Sequence, residues 1–435
     1  MMRFLPIVIV VLCSLLLQPG WGPDGPVWVG AAHAQDDDDD DDAPRQRRMR
    51  ANDDDDDGPV RRRAPARVAA PLPQRAPNEI LVRGLSDEDL AGLEGQGFAV
   101  LQRRDLSDGL SLTRLRKPQS LTMADARRTV RQLQSPQGAD FNHYYRTEQA
   151  AECQGVDCLA RDMIEWPATA GCGDLPLIGM VDTGLNAEHA ALSDAAIRLH
   201  RVETQSPISD QLHGTAVASL LVGDSASRSP GLVPQAQLVA VDAFHKDQKD
   251  QRADAFALIE ALDYLASQNV RVINLSLAGP PNRALEREIR ELEEAGIVVV
   301  AAAGNNGPSA KPAYPAAYDQ VIAVTAVDRR GQVYRRANRG EHIDIAAPGV
   351  DVWTAASISG ARTKTGTSYA APFVTAAVAM MLQRHPDLTP VQVRERIVQN
   401  ARDLGDAGRD HVFGQGLLTP PRGCDAPVPT APSAG

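Results

Sequence analysis

From Leu175 onward the chain alternates short, near-continuous apolar runs with longer stretches in which apolar residues recur every three or four positions. Residues 175–181, Leu238–Val241, Val270–Ile273, Ile297–Val300 and Val321–Val324 are runs of the first kind. Such runs predict strands covered on both faces. Ala253–Ser267 and Arg283–Ala295 are of the second kind. In the latter Leu285, Ile289 and Leu292 share one face, and Gly296 supplies the stop. Thr389 to Arg402 predicts another amphipathic helix, with Thr389 as cap and Pro390 at its first position. Phe373 to Leu382 is apolar except for Thr375, the signature of a helix buried all round. Pro372, which lacks an N–H, is expected in that helix's first turn. The alternation predicts an α/β fold with a mostly parallel sheet and helices on both faces.

A different pattern precedes it. Glu79–Val82, Phe98–Leu101, Leu110–Leu115 and Phe141–Tyr145 read as strands, with helices opening at Ser86 and Thr122 between them. In the second helix Ala126, Val130 and Leu133 lie on one face. The order βαββαβ predicts a small α+β, ferredoxin-like sandwich over residues 77–150. A Cys-bearing connector (151–174) joins it to the α/β domain (175–420), and a Pro- and Ala-rich tail (421–435) follows.

The first 76 residues carry no such periodicity. Arg3, the apolar run Phe4–Leu17 and the small-residue site Ala32-His33-Ala34 predict a secretory signal over residues 1–34, with a secreted or periplasmic product. A membrane anchor is the outcome only if that signal stays uncleaved. Residues 35–76 hold 12 Asp against 9 Arg, with few apolar side chains, and are expected to be disordered. The whole chain has a formal net charge of -11, so the folded part is mildly acidic. It shows no basic footprint for a nucleic-acid partner.

Cys153, Cys158, Cys172 and Cys424 remain beyond the leader. An even number in an exported chain points to two disulfides with three possible pairings. Cys153–Cys158, a small local loop, with Cys172–Cys424, tying the domain ends together, is the expected set. Free buried thiols are the alternative. The spacing lacks the two close pairs of a zinc site.

Candidate chemistry lies at the ends of the apolar runs. Residues 175–184 end in Asp182-Thr183-Gly184, a carboxylate closing a buried strand. His213-Gly214-Thr215 opens an apolar helix, and Gly366-Thr367-Ser368-Tyr369-Ala370-Ala371-Pro372 opens the buried one. Taken singly, each is an ordinary turn residue, structural histidine or helix cap. A hydroxyl needs a base, and the base an orienting group, before it is a useful nucleophile. The order Asp, His, Ser in these contexts is that of subtilisin. Residues from about 175 to 420 resemble a subtilisin-like serine protease (subtilase) domain. Asn274-Leu275-Ser276-Leu277-Ala278-Gly279-Pro280 and Ala301-Ala302-Ala303-Gly304-Asn305-Asn306-Gly307 add to the match.

The resemblance implies an endopeptidase with Ser368 as nucleophile, His213 as general base and then acid, and Asp182 orienting the imidazole. It implies Asn305 as an oxyanion donor, with the Ser368 N–H as the second. It also implies that Ser276, Leu277, Ala278 and Gly279 form an exposed strand edge for an extended peptide, with Gly304 in the facing wall. Small walls without charge suggest a moderate apolar side chain before the cut bond. Partners are then protein or peptide substrates, and the chain's own propeptide acts as an intramolecular inhibitor. That last role falls to residues 77–150, which resemble the subtilase propeptide in element order. The other readings are a catalytically silent subtilase fold used as a binding module, and Asp runs that bind cationic partners. No cofactor is expected. Many subtilases hold calcium between the segment after the Asp and the loop after the His helix. Here Ala191 stands where a liganding Asp is expected, and the loop Gly223–Pro230 offers Asp224 beside Arg228. The expectation is no metal.

Overall fold

The computed structural model describes residues 73–147, 160–167, 170, 173–203, 206–248, 250–356 and 358–423. The leader, residues 35–72 of the Asp/Arg-rich segment and the four expected disulfide cysteines lie outside the described residues. The end of that segment is ordered, since Arg75 and Ala76 open the first strand and Arg75 pairs with His143.

The first domain runs β1 (Arg75–Arg83), α1 (Asp87–Gly95), β2 (Ala99–Asp105), β3 (Ser111–Arg116), α2 (Met123–Arg131) and β4 (Gly138–Thr147). Its antiparallel strands lie in the order β2-β3-β1-β4, a ferredoxin-like sheet. Ser86 and Thr122 cap the helices by accepting from Asp89 N and Asp125 N, 3.1 Å each. These bonds satisfy donors that a helix start leaves open. Ile80, Val82, Leu93, Phe98, Leu115 and Val130 form a core of their own.

A short α3 (Ala160–Met163) precedes the second domain. There follow β5 (Ile178–Asp182), β6 (Ile197–Arg201), α4 (Leu212–Val222), β7 (Leu238–Asp242), β8 (His245–Asp247), β9 (Asp250–Asp254) and α5 (Ala255–Ser267). After these come β10 (Val272–Leu275), β11 (Leu277–Ala278), α6 (Arg283–Glu294), β12 (Val298–Ala302), β13 (Val321–Val327) and β14 (Ile345–Pro348). The hairpin β15 (Val352–Ala355) and β16 (Ala361–Lys364), then α7 (Thr367–Arg384) and α8 (Pro390–Gln399), complete it. Seven strands form one parallel sheet, β14-β13-β12-β10-β5-β7-β6. Successive side chains point to opposite faces. Met180, Ala240, Val272, Val298, Val300 and Val324 therefore pack on α4 and α7, while Val181, Val239, Ile273, Val299 and Ala323 pack on α5 and α6. Both faces are covered, which is why these strands read as continuous apolar runs.

Three expectations change. α7 begins at Thr367, so Pro372 is its sixth residue, one turn deeper than expected, and the missing N–H falls inside the helix. The edge Ser276–Gly279, expected to be exposed, is covered. The outer half of β4 leaves its own sheet and pairs antiparallel with it, Arg146 with Ala278 and Thr147 with Leu277. Before that, Tyr144 and Tyr145 pair with Asp254 and Ala253 of β9, a strand of mostly charged residues absent from the sequence reading. Asp254 ends that strand and caps α5, which accordingly starts at Ala255 rather than Ala253.

The contact between the domains has an apolar part, where Leu81, Leu106, Leu112 and Tyr145 join the core of α5 and α6, and a polar part. Buried Arg83 of β1 pairs with Glu288 and Glu291 of α6 and with Asp108. Arg146 pairs with Asp250 at 2.8 Å, and Arg114 with Asp254 at 3.3 Å. Asn282, the α6 cap, also donates to Phe141 O at 2.9 Å. Burial pushes the Glu288 carboxyl up to about 7, against the pull of Arg83. Burial takes the His143 imidazole down to about 4, with Asp140 opposing. Buried charges of this kind register two surfaces more than they stabilise them.

α7 is the centre of the larger core. Every residue from Thr367 to Leu382 is buried, and Phe373 meets Trp166 edge-on at 6.1 Å. In a Ser368→Ala background, Phe373→Ala is expected to cost about 3–5 kcal/mol, because the cavity left behind cannot collapse fully. The check is a thermal midpoint lowered by several degrees.

Candidate active site

The C-terminal ends of neighbouring parallel strands open on one edge of the sheet. β12, β10 and β5 are neighbours, and each is followed by a residue singled out in the sequence. Asp182 ends β5, Ser276 follows β10, and Asn305 follows β12 by three positions. α4 and α7 then bring His213 and Ser368 to the same edge, each as the second residue of its helix.

Asp182 has no exposed surface. His213 Nδ1 stands 2.8 Å from its Oδ1 and 3.0 Å from Oδ2, and Thr183 N donates to Oδ1 at 2.7 Å. The start of α4 is pinned to the same turn, since Gly214 N donates to Thr183 Oγ1 at 2.9 Å. A Cβ on Gly214 would come within 2.5 Å of the carbonyl oxygens of Thr183 and Gly184, so only glycine lets helix and turn approach this closely. A second buried carboxylate, Asp242, ends the adjacent strand β7 in register with Asp182. Arg201 at 2.6 Å and the Ser209 hydroxyl at 3.0 Å hold it. Burial raises its pKa and these two partners oppose the rise.

Ser368 is buried, and its hydroxyl donates to Ser276 O at 3.3 Å. His213 Nε2 is buried without a hydrogen-bond partner among the described residues. The imidazole leans on the Tyr369 ring at 5.5 Å. Asn305 Oδ1 accepts from Thr367 N at 3.1 Å and Thr367 Oγ1 at 3.2 Å. Holding the oxygen in this way commits the amide nitrogen to the donor role. Gly304 N donates to the same threonine hydroxyl at 3.2 Å. Gly304 has φ +102°, and a Cβ there would meet the Asn338 amide at 2.7 Å. Gly279 exchanges backbone bonds with Tyr314 and lies against the Tyr145 ring. Ser276, Leu277 and Ala278 are all buried with β4 in place.

The structure thus gathers Asp182, His213, Asn305, Ser276 and Ser368 at one sheet edge. Sequence reasoning missed the threonines that position them, Thr183 and Thr367, and the Asp242–Arg201–Ser209 group. The signal for the threonines was their place beside each candidate residue within its motif. Of the two stretches weighed for calcium, Asp224 N donates to Ala191 O at 2.8 Å, and the Asp224 carboxylate accepts from Ala226 N at 2.9 Å within its own loop. Among the described residues, no group of three or more His, Cys, Asp or Glu side chains is placed to hold a metal. No described helix is long and apolar enough to cross a membrane.

Comparison with known proteins gives the family of the chain. The subtilase family model matches residues 173–416. Subtilisin DY of Bacillus licheniformis is 33% identical over 270 residues, covering 61% of this chain and 95% of that protein. The minor extracellular protease Epr of Bacillus subtilis (strain 168) is 33% identical over 243 residues, 55% of this chain. The chain spans only 37% of Epr. Fervidolysin from Fervidobacterium pennivorans, a keratinolytic enzyme related to subtilisin, shares the fold with a TM-score of 0.68. That likeness covers 80% of this chain and 61% of fervidolysin at 21% identity. The chain belongs to the subtilase family of serine endopeptidases.

The Ala191–Asp224 contact bears on calcium. A ligand that binds only the native state raises the unfolding temperature as its excess grows. With one carboxylate already used by its own loop, Ser368→Ala protein is expected to melt at the same temperature in EDTA and in millimolar calcium. A rise of many degrees with calcium would reveal a site that these residues do not account for.

Proposed function

We propose that this protein is an exported endopeptidase made as a zymogen, with Asp182, His213 and Ser368 as its triad. The observation that carries the reading is the buried Asp182–His213 hydrogen bond at the mouth of α7, beside Ser368. Asp182 fixes Nδ1, so Nε2 is left to take the Ser368 proton as the hydroxyl attacks a peptide carbonyl. The hydroxyl turns from Ser276 O to Nε2 for this step. His213 then returns the proton to the leaving amine, and water repeats the sequence on the acyl-enzyme. Charge on the carbonyl oxygen is met by Asn305 Nδ2 and the Ser368 N–H at the start of α7, where backbone donors are unpaired and carry partial positive charge. The substrate lies extended along Ser276–Gly279. The small residues Ala278 and Gly304 favour a moderate apolar side chain before the cut bond.

The first domain is the inhibitor in this reading. β4 occupies the edge that a substrate would use, with Thr147 opposite Leu277, one residue from Ser276. The apolar leader and the likeness to Epr, an extracellular protease, support export. A serine-directed fluorophosphonate is expected to label Ser368 in the processed protein and not in Ser368→Ala. The variant should accumulate as the longer precursor. N-terminal sequencing of the processed wild type should begin within about four residues after Thr147, since each further residue advances a strand about 3.4 Å. Labelling of Ser368→Ala rejects the nucleophile, and absence of labelling in the wild type favours the silent fold.

The polar contact makes docking of the first domain pH-dependent in two opposed ways. His143, held near 4 when buried against an ordinary 6.5, favours docking fully above 6.5 and loses that contribution as pH falls toward 4. Glu288, held near 7 against an ordinary 4.5, favours docking fully below 4.5 and loses it as pH rises through 7. In His143→Gln, a fragment of residues 73–147 should bind processed Ser368→Ala domain more than about tenfold tighter at pH 5 than at pH 7.5. Calorimetric titration at both pH values checks this, and equal affinities would remove Glu288 from the account.

A further inference from the structure

Pro372 leaves the helix α7 with a missing bond at a telling place. An α-helix satisfies each carbonyl with the N–H four residues on. For Ser368 that residue is Pro372, which has none to give. The Ser276 hydroxyl donates to Ser368 O at 2.8 Å. The Ser276 oxygen accepts from Asn274 Nδ2 at 2.9 Å. The Thr375 hydroxyl stands 3.1 Å from Asn274 Oδ1 and equally from Ala371 O in its own helix, so its one proton is shared between the two acceptors. Asn274, Ser276, Ser368 and Thr375 have no exposed surface. From Asn274 through Ser276 to the Ser368 carbonyl the series has one direction, and Thr375 adds a shared donor at its far end. Because Asn274 occupies the Ser276 oxygen as a donor, the single Ser276 proton is committed to Ser368 O. Both ends of the series lie on α7, and its middle lies on the strand β10 and the residue after it.

We infer that Ser276 is a positioning residue for Ser368: its side-chain hydroxyl replaces the helix bond that Pro372 removes, and Asn274 and Thr375 hold it in that role. The inference rests on Ser368 as the nucleophile and adds to it. Buried polar groups need partners, and a buried Asn within Val272–Leu275 is a costly choice unless neighbouring groups serve it, as Ser276 and Thr375 do. Here they hold the backbone of one residue. The backbone carries both the attacking hydroxyl and the N–H assigned to the oxyanion, so a shift at Ser368 O displaces two groups at once. Peptide binding along the Ser276–Gly279 backbone does not involve the Ser276 hydroxyl. The effect therefore falls on turnover and not on affinity.

The test uses full-length protein, with each variant processed by trace wild-type enzyme where it does not process itself, and then repurified. Turnover of a chromogenic peptide and the second-order rate of fluorophosphonate labelling at Ser368 are measured. Ser276→Ala is expected to lower kcat and the labelling rate about tenfold to a hundredfold, as small misplacements of a reacting group do. KM should change by no more than about twofold, since uniform binding is untouched. Pro372→Ala restores an N–H at position 372. In that background the Ser276→Ala loss should shrink by about tenfold, a coupling that appears only if the two groups serve the same carbonyl. An unchanged labelling rate in Ser276→Ala, or an equal loss in both backgrounds, overturns the inference. If Ser276→Ala yields no folded protein, Thr375→Val carries the test. It keeps Ser276 and removes the far donor, and must slow labelling with KM unchanged; wild-type labelling there also overturns the inference. Failure of the wild type to label at Ser368 rejects the nucleophile and is read separately from these comparisons.

Discussion

A carboxylate with no contact with water has to be held by donors, and Asp182 sets the terms for much of the larger domain. Its position at the end of β5 puts it below solvent, where an unpaired charge would be far too costly to keep. The donors available are the Thr183 N–H and His213 Nδ1. The second can reach only if α4 starts against the Asp-Thr-Gly turn, and that requires glycine at 214. One buried charge thereby dictates where a helix begins, which residue it can tolerate there, and which nitrogen of His213 is left for other work.

β4 has the same importance for the first domain. Its inner half belongs to a four-stranded antiparallel sheet with its own core, and its outer half belongs to the neighbouring domain's β9 and β11. The two domains meet through hydrogen bonds and ion pairs around Arg83, Arg146 and Asn282, and through Leu81, Leu106, Leu112 and Tyr145, which share the apolar core of α5 and α6. The ion pairs set the register of the two surfaces, and the buried apolar side chains supply the adhesion.

Much of this was legible in the sequence. The strands β5, β7, β10, β12 and β13 announced themselves because burial on both faces forces continuous apolar runs. Ser86, Thr122 and Thr389 were readable as caps because a helix start needs a side-chain acceptor. β9 was not legible. Its sequence, Asp-Gln-Arg-Ala-Asp, has no alternation, and it is a strand because it pairs with β8 next to it in the chain and, at Ala253 and Asp254, with β4, more than a hundred residues away. Coverage of the Ser276–Gly279 edge was hidden for the same reason. The candidate triad was legible because each motif combined an element end with a reactive side chain. The function of the Ser276 hydroxyl was not, because it depends on Pro372 lying one turn deeper than its spacing implied. The clues were Asn274 within an apolar strand and Thr375 within an apolar helix, two polar residues whose partners only the tertiary structure could reveal.

The brevity of β11 has a consequence for self-association. A long bare strand edge invites a second copy of the chain to add its own strand, and repetition of that event builds aggregates. β11 offers two residues, and Pro280 and Pro281 follow almost at once, with no N–H to extend a ladder. With β4 withdrawn, the edge is long enough to grip a single extended segment and too short to template a sheet. An edge this short gives a second copy of the chain little to pair with, whichever segment occupies it.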